Sequence, residues 1–228
     1  MRRIQKLRQL VLAPAGFCLA ALIMPLGSPA PLGAAQQADA KPAPPEEIDY
    51  SAELPRIPGK SPAEAMEAFA VIPPFKIEAV ATEPVVMDPT ALDFDENGNL
   101  FVIEMRDYSE QNEDFLGVVR RLTDKDGDGI YESSTVFAKE LSWPTAVLCW
   151  DGGVFVGAPP DLFYLKDTDG DGVADQRKKV FTGFSRSNVQ GMMNSLRWGL
   201  DNRIHGASSS TGGSITPGDN PNATPLVL

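Results

Sequence analysis

Pro89-Thr90-Ala91-Leu92-Asp93-Phe94-Asp95-Glu96-Asn97-Gly98-Asn99-Leu100-Phe101-Val102 reads as two β-rich runs joined by a tight Asp/Asn/Gly turn. That pattern specifies a hairpin. The same pattern returns at Pro144-Thr145-Ala146-Val147-Leu148-Cys149-Trp150-Asp151-Gly152-Gly153-Val154-Phe155-Val156. A weaker third copy is Asn194-Ser195-Leu196-Arg197-Trp198-Gly199-Leu200-Asp201-Asn202-Arg203-Ile204-His205.

Between the hairpins lies a second repeat. Leu122-Thr123-Asp124-Lys125-Asp126-Gly127-Asp128-Gly129 matches Leu165-Lys166-Asp167-Thr168-Asp169-Gly170-Asp171-Gly172, and short β-rich runs follow at Ser134–Ala138 and Lys178–Thr182. Hairpin, strand, acidic loop and strand make a four-stranded unit. Four strands recurring at this spacing spell propeller blades. The predicted fold is all-β: a partial propeller over residues 89–228, with two complete four-stranded blades and part of a third. A propeller closes with four or more blades, so the chain reads as a fragment of a larger disc.

In such a blade, the first hairpin turn and the acidic loop share one face of the disc. The middle loop and the crossover to the next blade share the other. The acidic loops therefore fall opposite the two insertions, at about residues 105–116 and 183–193. Length collected on one face marks where binding happens.

The acidic loops carry metal chemistry. Asp124, Asp126 and Asp128 alternate, with Gly129 next and Glu132 at the ninth position. Asp167, Asp169, Asp171, Gly172 and Asp175 repeat the series. Alternate carboxylates around a sharp glycine bend wrap oxygens about a hard cation, and Ca2+ is the expected ion. The twelfth positions, Thr135 and Lys178, lack the bidentate Glu of an EF-hand. The expected role is to stiffen a loop; a solvated acidic turn is the plainer alternative.

On the opposite face, Glu104, Arg106, Asp107 and Tyr108 leave the first hairpin, and Asn188, Gln190 and Asn194 precede or open the third. Such a set can hydrogen-bond a polyhydroxy ligand or carbohydrate. A structural ion pair of Arg106 with Glu104 or Asp107 competes with that reading. Trp143 and Trp198 read as packing residues. His205 aligns with Phe101 and Phe155, which also points to packing.

The N-terminus reads as an address. Arg2, Arg3, Lys6 and Arg8 precede an apolar run from Leu10 to Leu26, and small residues follow. This is the layout of a secretory signal over residues 1–35; an uncleaved membrane anchor is the alternative. The protein is expected to be exported, periplasmic or at the cell surface. Residues 36–60, interrupted by Pro42, Pro44, Pro45, Pro55 and Pro58, read as a disordered linker. Residues 61–88 read as a short helix opened by Ser61-Pro62-Ala63-Glu64, then a lead-in strand.

Composition bounds the chemistry. Of 228 residues two are Cys and one is His, with a net charge of −11. A disulfide scaffold and a multi-His metal site are excluded. Nucleic acid is not an expected partner, because phosphate binding needs clustered Lys and Arg. Loss of residues 1–35 would remove four positive charges and no negative ones, leaving −15. Cys149 would then be the single cysteine, and its apolar neighbours point to a buried thiol.

One family matches these motifs in order. Phe75-Lys76-Ile77-Glu78, Asp93 to Gly98, Val102-Ile103-Glu104-Met105-Arg106-Asp107-Tyr108, Leu165 to Gly172, Phe181-Thr182-Gly183-Phe184 and Leu196-Arg197-Trp198-Gly199-Leu200-Asp201-Asn202 resemble the large membrane-bound dehydrogenases of the planctomycete–verrucomicrobial type. Their N-terminal part looks like the propeller of soluble quinoprotein glucose/sorbosone dehydrogenases. The resemblance implies an oxidoreductase acting on sugars or related alcohols, with pyrroloquinoline quinone. It also implies electron transfer to an acceptor or to haem c in a further, C-terminal cytochrome domain. Many relatives carry a His-Arg pair before the Asn of the third hairpin; here Gly191-Met192-Met193 precedes Asn194, so the catalytic base is not assigned. Two functions follow: a dehydrogenase propeller stiffened by Ca2+, or a non-catalytic Ca2+-binding propeller that takes carbohydrate or a protein partner.

Overall fold

The computed structural model describes residues 50, 53–54, 57–108, 111 and 113–228. The expected signal segment lies outside them, as does most of the linker. The chain divides into two units, residues 1–56 and 57–228. In the first, the N–H groups of Glu53 and Leu54 donate to Tyr50 O. All that follows concerns the second.

This unit opens with helix α1, Pro62–Glu67. Its capping box forms: Ser61 N–H donates to Glu64 Oε2 (2.8 Å), and Glu64 N–H donates back to Ser61 Oγ (3.3 Å). The lead-in strand does not form, and residues 68–88 run as turns and irregular backbone. The alternating Phe75-Lys76-Ile77-Glu78 has no neighbouring strand to pair with, and Phe75 and Ile77 stay exposed. A strand pattern without a partner edge gains no ladder hydrogen bonds.

The first sheet is antiparallel and runs β1 (Pro89–Phe94), β2 (Leu100–Glu104), β3 (Gly117–Thr123), β4 (Ser133–Leu141) in sequence order. The β1–β2 turn is set by Asp95, whose Oδ1 accepts from Asn97 N (2.9 Å) and Asn99 N (2.8 Å). Gly98 takes the left-handed φ of 82° that this turn needs. Every residue of β2 is buried. Val86 covers Leu100, Val102 and Leu122 on one side. On the other, Phe101 and Ile103 join Val119, Phe137, Val147, Val154, Val156 and Leu165 in a core shared with the second sheet. Phe101 meets Phe137 edge to face at 5.0 Å.

The second sheet begins in the same way, with β5 (Ala146–Trp150), β6 (Gly153–Ala158), β7 (Asp161–Lys166) and β8 (Gln176–Phe184). The third hairpin follows as β9 (Asn194–Trp198) and β10 (Ile204–Ala207). The expected blade count is corrected here. Among the described residues, no third strand is added to that hairpin after β10. The chain returns to β8, so β11 (Gly213–Pro217) and β12 (Leu226–Val227) extend the second sheet to six strands in the order β12-β11-β8-β7-β6-β5.

Two glycines permit this return. A Cβ on Gly183 would lie 2.0 Å from Ser214 O, and one on Gly213 would lie 2.5 Å from Gly183 O. With no Cβ on either, the backbones close up, and Ile215 is buried. The fold is thus all-β in antiparallel sheets, and among the described residues none of the sheets is closed.

The hairpin-opening strands β1, β5 and β9 lie next to one another. Thr90 Oγ1 donates to Pro144 O (3.2 Å), just before β5. Thr145 Oγ1 donates to Met193 O (2.5 Å), just before β9. The matching Thr of the first two repeats thus binds each sheet to the next. Leu148, Leu162, Met193 and Leu196 pack between the second sheet and the third hairpin.

Candidate functional site

The acidic loops project from one end of the sheets. Tyr131 OH, at the end of the first loop, donates to Gly98 O of the β1–β2 turn (3.1 Å). Ala174 N–H, in the second loop, donates to Phe137 O of β4 (2.8 Å). Strands flank both loops, so these are not EF-hands.

Each loop is wound around its first carboxylate. Asp124 accepts from Gly127 N (2.7 Å) and Gly129 N (2.8 Å); Asp167 accepts from Gly170 N (2.7 Å) and Gly172 N (2.8 Å). These backbone bonds hold both carboxyls below the usual Asp range, with the Gly129 bond the largest cause for Asp124 and the Gly170 bond for Asp167.

Asp124, Asp126, Asp128 and Glu132 bring one oxygen each to within 4.8 Å of one another. In the second loop Asp167, Asp169 and Asp171 do so. These oxygens fit a hard cation such as Ca2+. Asp175, predicted as the fourth ligand, is not in that group. Its Oδ1 takes Thr168 N (2.9 Å) and its Oδ2 takes the Thr168 hydroxyl, which lowers its pKa. Lys125 occupies the Thr168 position in the first loop and has no hydroxyl, so Glu132 receives only a 3.4 Å bond from Lys125 N.

The other predicted set lies at the opposite end. Glu104 closes β2 at 0% exposure. It pairs with Arg106 Nη2 and with Arg120 Nε (3.1 Å), and accepts from Met87 N (2.8 Å). The competing ion-pair reading therefore holds for Glu104 and Arg106. Arg120 was not singled out from the sequence. It stands two residues from Val118, which pairs with Glu104, and the period of two along β3 puts it on the face of Glu104.

Asp107 is also buried. Its Oδ2 accepts from Trp143 N (3.2 Å) and its backbone O from Trp143 Nε1 (2.9 Å). Its Oδ1 has no partner among the described residues. Arg186 sits over the Trp143 ring at 5.5 Å. Met105 and Met192 complete the apolar floor with Trp143.

Tyr108 is exposed, and Gln190 Nε2 donates to its hydroxyl (3.4 Å) across 82 residues of sequence. Asn188 caps the short 3-10 turn Val189–Gly191 and accepts from Gln190 N (3.0 Å). Asn194 instead donates to Met192 O (3.1 Å) and lines the groove between β1, β5 and β9.

Two packing expectations are corrected. Trp198 is 49% exposed. His205 is exposed as well, with Nε2 3.0 Å from Asp201 Oδ1. The third turn repeats the backbone bonds of the first, but among the described residues β10 pairs with β9 alone, whereas β2 lies between β1 and β3, so alignment with Phe101 does not transfer burial. Cys149 is partly buried, and desolvation pushes its thiol well above the ordinary range, with Asp93 adding to the effect.

The planar tricarboxylate quinone implied by the resemblance does not fit the polar end. The Trp143 indole that could stack on it is buried under Arg186, and Arg106 is committed to Glu104. No described helix is long and apolar enough to cross a membrane.

The family described as "Domain of unknown function (DUF7133)" matches residues 61–225, and the chain belongs to it. No curated protein matches. Among solved structures, the calcium structure of a Trichoderma reesei carbohydrate-active enzyme of family AA12 is similar at TM-score 0.42 and 15% identity, over 64% of this chain and 38% of that one. The iodide structure from the same family gives 0.34 and 19%, over 44% and 24%. The chain thus spans well under half the length of these proteins.

Proposed function

We propose that this DUF7133 member is a propeller-type module of an exported sugar or alcohol dehydrogenase. It holds Ca2+ in its Asp-rich loops and presents Tyr108, Asn188 and Gln190 to a polyhydroxy ligand. The observation that carries this reading is the Gln190–Tyr108 hydrogen bond. It joins two sequence-distant segments into one polar rim, at the end opposite the acidic loops. Carboxamide and phenol groups above an apolar floor suit a ligand rich in hydroxyls. Export follows from the Arg- and Lys-led apolar run of the N-terminus. An electron acceptor such as a cytochrome domain would be the partner of the dehydrogenase.

One observation favours a second reading, a non-catalytic binding module. Glu104 lies between two guanidinium groups and Asp107 is buried beneath Trp143. Neither is placed as an open general base, and no hydride step is assigned to them.

Dye reduction with a panel of aldoses and polyols, with and without Ca2+ and quinone, separates the two. Turnover supports the dehydrogenase. Saturable sugar binding that shifts the Tyr108 and Gln190 resonances without turnover supports the binding module. Absence of both overturns the assignment of this end.

A further inference from the structure

The groove between β1, β5 and β9 is a cavity of about 300 Å3, lined by Thr90, Thr145, Asn194, Ser195 and Arg197 with apolar neighbours. It is separate from the Tyr108–Gln190 rim. No carboxylate lines it, in a chain of net charge −11. Ser195 takes a left-handed φ of 56°. That kink interrupts the alternation of β9, so consecutive residues from Asn194 to Arg197 border one groove.

The donors left open in this groove come from β9. Thr90 and Thr145 direct their protons to backbone carbonyls. Asn194 spends one amide proton on Met192 O, which leaves its second. Ser195 Oγ has no hydrogen-bond partner among the described residues. Arg197 Nη1 donates to Leu196 O (2.9 Å), and its Nε–Nη2 edge is without a partner among the described residues. That edge is the planar fork that matches the two oxygens of a carboxylate.

We propose that this groove is a binding site for a small carboxylate, with the Arg197 fork as its anchor and Asn194 and Ser195 as supporting donors. The volume admits a molecule the size of a sugar acid. The inference does not depend on the function proposed above.

The test is an amide NMR titration of the full chain with sodium acetate, sodium glucuronate, inorganic phosphate, glucose and sodium chloride. Acetate and glucuronate should shift the amides of residues 194–198 saturably; glucose and chloride should not. Tighter glucuronate binding identifies a sugar acid, and equal binding identifies a simple carboxylate. Arg197→Gln should weaken binding about tenfold or more, and Arg197→Lys, which keeps the charge but not the fork, should fall between. Arg203→Gln, in the exposed turn of the same hairpin, should leave it unchanged. The proposal is overturned by no saturable shift up to about 50 mM carboxylate, by phosphate binding in place of carboxylates, by an equal response to glucose, or by unchanged affinity in Arg197→Gln.

Discussion

The side chain of Asp93 in β1 accepts the backbone N–H of Cys149 in β5 at 2.7 Å. This bond crosses from the first sheet to the second and meets a donor at the outer edge of β5, where no strand of its own sheet lies among the described residues. Asp93→Ala would leave that N–H unpaired in a partly buried seam. The expected loss is about 1–3 kcal/mol, read from urea unfolding, and Asp93→Asn should recover part of it.

The same seam makes stability depend on alkaline pH. Burial, then Asp93, raises the Cys149 thiol above its ordinary 9.0. A raised value means that the folded chain holds the proton more tightly than the unfolded one. The stabilisation is therefore complete below pH 9 and drains away above it, by up to about 1.4 kcal/mol per pH unit. Cys149→Ala should flatten that slope in denaturation curves taken from pH 8 to 11. Iodoacetamide should label Cys149 slowly in the folded protein and quickly in urea.

Ca2+ should raise the melting temperature and EDTA should reverse the effect. A site filled at 100 times its Kd adds about 2.7 kcal/mol. The first loop, with four clustered carboxylates against three, should bind the more tightly. Asp126→Asn and Asp169→Asn should each remove one site in a calorimetric titration. Asp175→Asn should leave the second site unchanged, because that carboxylate is turned onto Thr168.

Glu104→Gln should cost about 3–5 kcal/mol, because it leaves the Arg106 and Arg120 guanidinium groups without their buried counter-charge. Thermal unfolding measures this directly. An unchanged melting temperature would show that the pair contributes little to holding the end of β2.

The return of β11 to the second sheet should fail in Gly183→Ala, where the new Cβ meets the Ser214 carbonyl. About 2–4 kcal/mol is expected from strain at this left-handed position together with lost packing. Hydrogen exchange should show residues 213–228 losing protection while β1–β8 keep theirs.

What the sequence revealed was local. Alternation and glycine turns gave the hairpins, because Gly98, Gly127, Gly129, Gly170 and Gly172 all occupy left-handed backbone that other residues avoid. The acidic loops were legible for the same reason. The position of β11 was not, since it depends on the fit of Gly183 against Gly213, thirty residues away. The orientation of Asp175 is not legible, because its partner is the Thr168 hydroxyl, which the aligned Lys125 lacks. Arg120 is not legible as part of this cluster, because its partner, Glu104, lies on another strand. His205 shows the limit of alignment: its nearest polar partner is Asp201, one turn back along its own chain.

Because β11 goes to β8, β10 has one flank of its amides and carbonyls unclaimed by any strand among the described residues. Ile204-His205-Gly206-Ala207 carries no lysine or proline to repel an incoming strand. An open edge of this kind is where a second chain would add a strand, and the brevity of its four residues is what limits such annealing.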